Sequence, residues 1–419
     1  MSLRVLGLMG CTLLAACGDD KESGDDTALP ESPCADGNWG ELGSPATAIQ
    51  VRADGDDSGD GSLDAPVASL EAALALSRTR TSDKTIFVGP GSYTVTDLTL
   101  ASDPGDGATD DGLVLDACED EVTLEAGDPD SPVIRVSAAL DVSISRLILS
   151  GGTRSLLVWQ GARASLKRVV VKGGVVAGVV IGGHDTIVDA SDLHISDTSG
   201  SEDGSGGLSG GFGLGISGAT VRITGGSIRN ARVAGVFVDS DGRDGGVTLD
   251  GITVESTTAD DDGAYGRGIH VQDVASLEIT DCVVSDNQDA GVFVLQAADV
   301  TLDSVVVDQV TAGSVPDSEE SSGDGIVITS VDDSGDLFDQ EAFTATLIGN
   351  TVTAPARAGV VFEGVIATAD GNSSSGGTHA LVFQGDASLS GGDASGAEDL
   401  DDSPLGLNRS LLEGADLTP

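Results

Sequence analysis

A four-residue block of glycine, apolar, variable and apolar residues recurs along the chain and fixes the length of its structural unit. Copies begin at Gly178, Gly213, Gly235, Gly268, Gly291, Gly325 and Gly359, with degenerate copies at Val133 and Ser155. A second block, apolar-x-apolar-x-x-apolar-x-apolar, covers residues 142–149, 164–171, 188–195, 247–254, 277–284 and 300–307, and slightly slipped copies cover 221–228 and 345–352. From Val133 onward the first block restarts after 22, 23, 35, 22, 33, 23, 34 and 34 residues. A period in this range means a stacked solenoid, and the alternation inside each block is that of strands. One coil therefore holds three short strands and their bends. Each strand pairs with its counterpart one coil away, at about 4.8 Å, and every second side chain enters the bore. Long and short coils nearly alternate. The first three long coils carry their extra residues, 197–212, 257–267 and 312–324, just before the first block, and the fourth carries 330–343 after it. A wide loop fits on one side only at every other coil.

Composition agrees with a narrow bore. The 419 residues include 60 glycines and only 3 % aromatics, too few rings for a globular core. The body opens with Ile49–Val51 as a strand, then Leu70, Ala73, Leu74 and Leu76 at helical spacing within 66–77. Together with Gly55, Asp57, Gly61, Ser62, Pro66, Ser69, Ile86, Val88, Gly91 and Tyr93, this stretch of about 45 residues resembles the opening module of pectin-lyase-like β-helix proteins. The resemblance implies an all-β fold: a single-stranded right-handed parallel β-helix (solenoid) over residues 46–385 with a short N-terminal capping helix. Enzymes and non-enzymes share the module, so it implies no chemistry.

Ahead of the body, Arg4 precedes a short apolar run ending in Leu14, Ala15, Ala16 and Cys17. The run is too short to span a bilayer. The last four residues resemble the lipobox of bacterial lipoproteins, in which small residues fit the signal peptidase and the cysteine thiol takes a diacylglycerol. That implies a signal peptide over 1–16, lipidation at Cys17, export to the cell envelope, and attachment to the outer membrane or cell surface through lipid alone. Residues 17–45 read as an acidic flexible tether, and 386–419 as a polar tail that caps the last coil or hangs loose. Cys11 leaves with the signal. Cys282 falls on an inward position and is expected to be a buried free thiol. Cys34 and Cys118 could form a disulfide clipping the tether to the first coils, or remain free.

Lysine and arginine number 20 against 69 acids, a formal charge of -49. Such a surface repels phosphate backbones, which excludes nucleic acid as a partner, and favours cations, calcium in particular. Asp260, Asp261 and Asp262 form the densest carboxylate cluster and are the candidate calcium ligands, against the reading of a merely solvated loop. Asp54 to Asp60 lacks the closing glutamate of a calcium loop, its twelfth position being Ala65.

No catalytic residue is assigned. Hydrolases of the pectin-lyase-like family carry Asn-x-Asp, Asp-Asp, Gly-His-Gly and Arg-x-Lys motifs. Here His270 lacks the second glycine, and no Arg-x-Lys occurs. For a lyase the bases on offer are Lys84, Lys167, Lys172, Arg222, Arg229, Arg232 and Arg267, each read as a surface charge or loop anchor. His184, His194 and His379 are isolated in sequence, without zinc-ligand spacing.

Two outward columns differ. The second block presents Ser143, Ser165, Asp189, Arg222, Thr248, Glu278, Thr301 and Thr346, a solvated face. The first block presents Arg135, Leu157, Val180, Gly215, Phe237, His270, Phe293, Val327 and Val361, then Val382. A sheet open to water is not this apolar. Either the three acidic insertions fold back over it, or it is a ligand strip with Phe237 and Phe293 stacking on sugar rings and His270 between them. In similar proteins this sheet often carries the substrate groove. The resulting expectation is a surface-anchored binding or structural module for carbohydrate or the cell envelope. The alternative is a polysaccharide lyase or epimerase acting on an anionic polysaccharide with calcium. A Lys or Arg beside an Asp cluster on the outer first-block sheet would favour the alternative. The oligomeric state is left open.

Overall fold

The computed structural model describes residues 47–103, 108–117, 122–202, 208–240, 245–260, 265–313, 321–331, 343–392, 397–401, 404–407 and 417. The signal, the tether, Cys17, Cys34, Cys118, Asp261 and Asp262 lie outside them.

The first coil is built on the strand Ile49–Val51 and the helix Leu70–Arg78. Ser69 caps the helix, its hydroxyl accepting from the Ala72 amide at 3.2 Å. Asp57 anchors the cap, accepting from the Ala68 and Ser69 amides at 2.9 and 2.8 Å and from the Ser69 hydroxyl at 2.9 Å. The aspartates of this loop are thus engaged in turn hydrogen bonds; Asp56 and Asp60 accept from the Ser58 and Ser62 amides. Leu70, Ala73 and Leu74 are buried, and the helix packs on Ile49–Val51, closing one end of the bore.

Strands then stack coil upon coil. Among the described residues, the first-block strands form a thirteen-stranded sheet and the second-block strands a twenty-two-stranded sheet that turns a corner. Apart from an antiparallel contact at Ser102–Thr109, the pairings within these two sheets are parallel and join neighbouring coils. Leu156, Val179, Leu214, Val236, Ile269, Val292 and Ile326 stack in the bore with the second-block residues. Cys282 is among them, fully buried and unbridged.

Two backbone requirements explain the repeat pattern. The glycine of the first block lies where strands converge: a Cβ on Gly268 would come within 2.5 Å of Val284 Cγ1 and 2.7 Å of the Gly291 carbonyl. The x-x pair of the second block contains a bend whose residue is left-handed, as at Asp192 (φ 52), Gly225 (φ 68), Gly251 (φ 65) and Asp281 (φ 51). Asp and Gly tolerate that region.

The strands continue beyond residue 385, through Ser388–Gly392 and Ala397–Asp399. Beyond Asp399, the described residues of the C-terminal segment return over the outer face of the thirteen-stranded sheet. Leu400, Leu405 and Leu407 pack with Phe293, Val327, Val361 and Val382, and Leu417 packs with Leu157, Val180, Phe212 and Phe237. We call this segment the strap.

Candidate functional site: the covered face of the thirteen-stranded sheet

Strand register places the first-block column as the repeats require. Arg135, Leu157, Val180, Gly215, Phe237, His270, Phe293, Val327, Val361 and Val382 are successive partners across neighbouring coils. Phe212 stacks on Phe237 with ring centroids 4.6 Å apart, Phe237 meets His270 edge-on at 5.4 Å, and His270 meets Phe293 edge-on at 5.5 Å. The column is not open. Phe237 and His270 are 0 % exposed and Phe293 2 %.

The C-terminal segment contributes to the cover. The strap leucines supply its described part, with Tyr265 from the 257–267 insertion and Trp159 packed beside the Phe237 cluster. Residues 203–207, 261–264 and 314–320 of the insertions lie outside the described residues. The strap also has polar anchors. Arg357 Nη1 donates to the Gly406 carbonyl at 2.7 Å, Gln384 Nε2 donates to the Leu405 carbonyl at 3.1 Å, and the Leu405 amide donates to Gln384 Oε1 at 2.9 Å. At the far end a Cβ on Gly215 would lie 2.6 Å from Leu417 Cδ2, so glycine makes room for the strap.

Beneath this cover lies a charged network. Arg267, expected to be a surface charge or loop anchor, is 0 % exposed. Its Nε donates to Asp289 Oδ2 at 2.7 Å, its guanidinium carbon lies 3.7 Å from the Phe293 ring centroid and 5.5 Å from that of Tyr265, and its Nη1 is 3.3 Å from His270 Nδ1. Three coils on from Arg267, Arg357 grips buried Asp324 with both Nε and Nη2. Burial pushes the Asp324 carboxyl above the usual carboxylate range against the pull of Arg357. Burial, and then the Arg267 charge, hold His270 well below the ordinary imidazole value, so it is neutral at pH 7. Glu363, also buried, accepts from Thr329 Oγ1 at 2.7 Å and Gln384 Nε2 at 2.9 Å. The sequence signal for the first pair was Arg267 and Asp289 lying one coil apart, which only coil-to-coil register turns into a contact.

The other candidates are scattered. Asp260 is half-buried at the rim of its loop. Among the described residues no three His, Cys, Asp or Glu side chains are grouped to hold a metal ion. His194 Nδ1 lies 2.9 Å from Ser227 Oγ, and His379 Nδ1 lies 3.1 Å from Glu398. No described helix is long and apolar enough to cross a membrane.

A family model described as "Right handed beta helix region" matches residues 154–373, more than half of the chain. The chain belongs to the right-handed β-helix family. No curated protein sequence matches it. Among solved structures, this β-helix is similar to the pectate lyase Pel9A, with 16 % identity over 88 % of this chain and 93 % of that one, at a TM-score of 0.53. It is also similar to the catalytic domain of a GH87 α-1,3-glucanase in complex with tetrasaccharides, with 10 % identity over 88 % and 69 % of the two chains, at a TM-score of 0.50. The A-module of the mannuronan C-5 epimerase AlgE6 from Azotobacter vinelandii aligns at 15 % identity over 80 % and 95 %, with a TM-score of 0.49. At these identities the likeness of this β-helix to solved structures is one of fold.

Proposed function

We propose that this β-helix is a lipid-anchored module of the bacterial cell envelope that binds polysaccharide along its thirteen-stranded face without cleaving it. The observation that carries the reading is the column Phe237, His270 and Phe293, three rings in register on successive coils, with Phe212 stacked on Phe237 from the coil before. Rings repeated at the coil rise offer a repeating apolar platform, and a chain of sugar rings is a repeating apolar surface. The fold shared with proteins named for acting on pectate and α-1,3-glucan supports the same class of ligand.

Binding is favoured over catalysis by the state of the charges. Arginine does stand beside aspartate on this face, the arrangement that a lyase or epimerase would need. Yet Arg267 is held in a buried ion pair with Asp289, and Arg357 is paired with Asp324. An arginine in a buried ion pair cannot act as a base. The half-buried Asp260, with Asp261 and Asp262, remains the calcium proposal, and Cys34 with Cys118 the disulfide proposal. Cys17 carries the anchor.

Complete burial of the same rings supports a second reading, a rigid structural spacer on the cell surface with the column as core. An array of neutral and anionic polysaccharides, probed with the purified body with and without calcium, separates the readings. Binding without shortened or unsaturated products supports the first. Product release replaces it with an enzyme. No binding by the intact chain or by a chain without the strap leaves the spacer.

A further inference from the structure

We propose that the outer face of the second-block sheet is an interface with a second copy of this chain, packed antiparallel to the first. The inference stands apart from the glycan reading, because the ring column belongs to the other sheet. It holds for a binding module and for a spacer alike.

Charge is ordered along this face. Strand Arg163–Lys167 presents an exposed cation at each end, and two coils on Arg222 adds a third. Further along, strands Ser276–Thr280 and Asp299–Asp303 turn Glu278, Asp299 and Asp303 outward and contain no cation. Around the corner of the sheet the order is the same, with Lys172 and Arg229 early and Glu255 and Asp308 late. The whole chain has 20 lysines and arginines against 69 acids, so a cationic end runs against its composition.

Symmetry decides what such a face fits. Two identical sheets packed face to face can share a two-fold axis along the solenoid or along the strands. The first axis sets each coil against itself, like charge against like. The second reverses the coil order and keeps each position along the strand. With that axis between strands Thr220–Arg229 and Gly246–Asp250, strand register sets Arg163–Lys167 opposite the partner's Asp299–Asp303. Arg163 then faces the partner's Asp299, Ser165 the partner's Thr301 and Lys167 the partner's Asp303, and each pair occurs twice. Asp189 meets the partner's Glu278, and Arg222 lies one coil from both. A shift of one coil in either direction would set Arg163 against Ser276 or Thr344 and Lys167 against Thr280 or Ile348. The charges therefore select one register.

Net charge gives the pairing a signature. Copies with a formal charge of -49 repel one another. That repulsion reaches about 30 Å at 0.01 M salt and about 10 Å at 0.1 M, where facing ion pairs are still felt. At 1 M the range falls to about 3 Å and the facing pairs are screened as well. Association is strongest at the middle salt.

The test is sedimentation equilibrium of the chain from residue 18 onward, which lacks the lipid-bearing cysteine and keeps every described residue, at about 0.01, 0.1 and 1 M NaCl. The wild-type chain should dimerise most tightly at the middle salt. Lys167→Glu and Asp303→Lys each set like charges opposite one another twice, and each should weaken the dimer about tenfold. A one-to-one mixture of the two variants should dimerise again, as should the Lys167→Glu/Asp303→Lys chain, because both restore opposite charges. If either single variant fails to melt cooperatively, Arg163→Glu and Asp299→Arg repeat the test at the neighbouring pair. Oxidised Ser165→Cys/Thr301→Cys chains should form a covalent dimer whose peptide map joins positions 165 and 301, which within one copy lie five coil rises apart, about 24 Å. A wild-type chain that stays monomeric at all three salts up to about 1 mM overturns the inference. So does a dimer that the single variants do not weaken, that the mixture does not restore, or that is tightest at the highest salt. Binding of a monomeric chain to phosphatidylserine vesicles, lost in Lys167→Glu, overturns the second copy as occupant and assigns the cations to a membrane surface.

Discussion

The guanidinium of Arg267 lies against the ring of Phe293 at 3.7 Å while the same group is held by Asp289 at 2.7 Å. A cation stacked on an aromatic face and paired on its edge is fixed in two directions at once. Arg267→Met alone should leave Asp289 buried without a partner and destabilise the fold by about 3–5 kcal/mol. Arg267→Met combined with Asp289→Leu should recover most of that loss. Urea unfolding of the three chains measures it, and equal losses in the single and double variants would show that the pair is not the source.

Phe237→Ala and Phe293→Ala test the buried state of the column. Both side chains are enclosed, so each variant should lose about 3–5 kcal/mol. A change of a few tenths in thermal or urea unfolding would mean that the cover is open in solution for most of the time.

The pH dependence has a definite sign. Burial and Arg267 hold His270 below its ordinary value, so the unfolded chain takes up a proton that the folded chain refuses. This contribution to stability is fully present above the unfolded value of about 6.5 and declines as pH falls below it towards the depressed folded value. His270→Phe, which keeps a ring between Phe237 and Phe293, should flatten the decline. An unchanged slope would transfer the effect to other groups, His194 first, since burial shifts it in the same direction.

Cys282 stands in the bore with its thiol pushed up to about 11 by burial. It should resist iodoacetamide at pH 8 in the folded chain and react fully in denaturant, as followed by peptide mass spectrometry. Rapid alkylation of the native chain would show that the coil around it opens. Cys282→Val should be better tolerated than Cys282→Asp, which places a charge in the bore.

The anchor is tested by growth with a labelled fatty acid. Label should enter the wild-type protein and be absent from Cys17→Ser, with the mature chain beginning at residue 17. An unlabelled wild-type protein that begins elsewhere would remove the membrane from the proposed function.

Much of this architecture is legible in the sequence because a β-helix repeats its rules. The glycine that opens the first block, the two-residue bend of the second and the register of Phe237, His270 and Phe293 follow from one period. The opening module shows the helix through Ser69 and Leu70. The cover is a different matter. Leu400, Leu405, Leu407 and Leu417 stand singly in a Gly-, Ser- and Asp-rich stretch without a period, so nothing local marks them as a face. Arg267 reads as a loop charge because its partner is a coil away and its stacking ring is Phe293, two contacts that exist only after the coils have closed.

The strap has a consequence for how the molecule unfolds. Solenoid coils interact mainly with the coils above and below, so such chains behave as a one-dimensional row of units that can fray from an end. Here Leu407 rests on coils near Val361 and Leu417 rests beside Gly215, so one covalent segment ties units that share no strand pairing. Fraying of the late coils must drag on the middle of the row. The strap thus converts part of a zipper into a single cooperative block, with its boundary where the leucines stop.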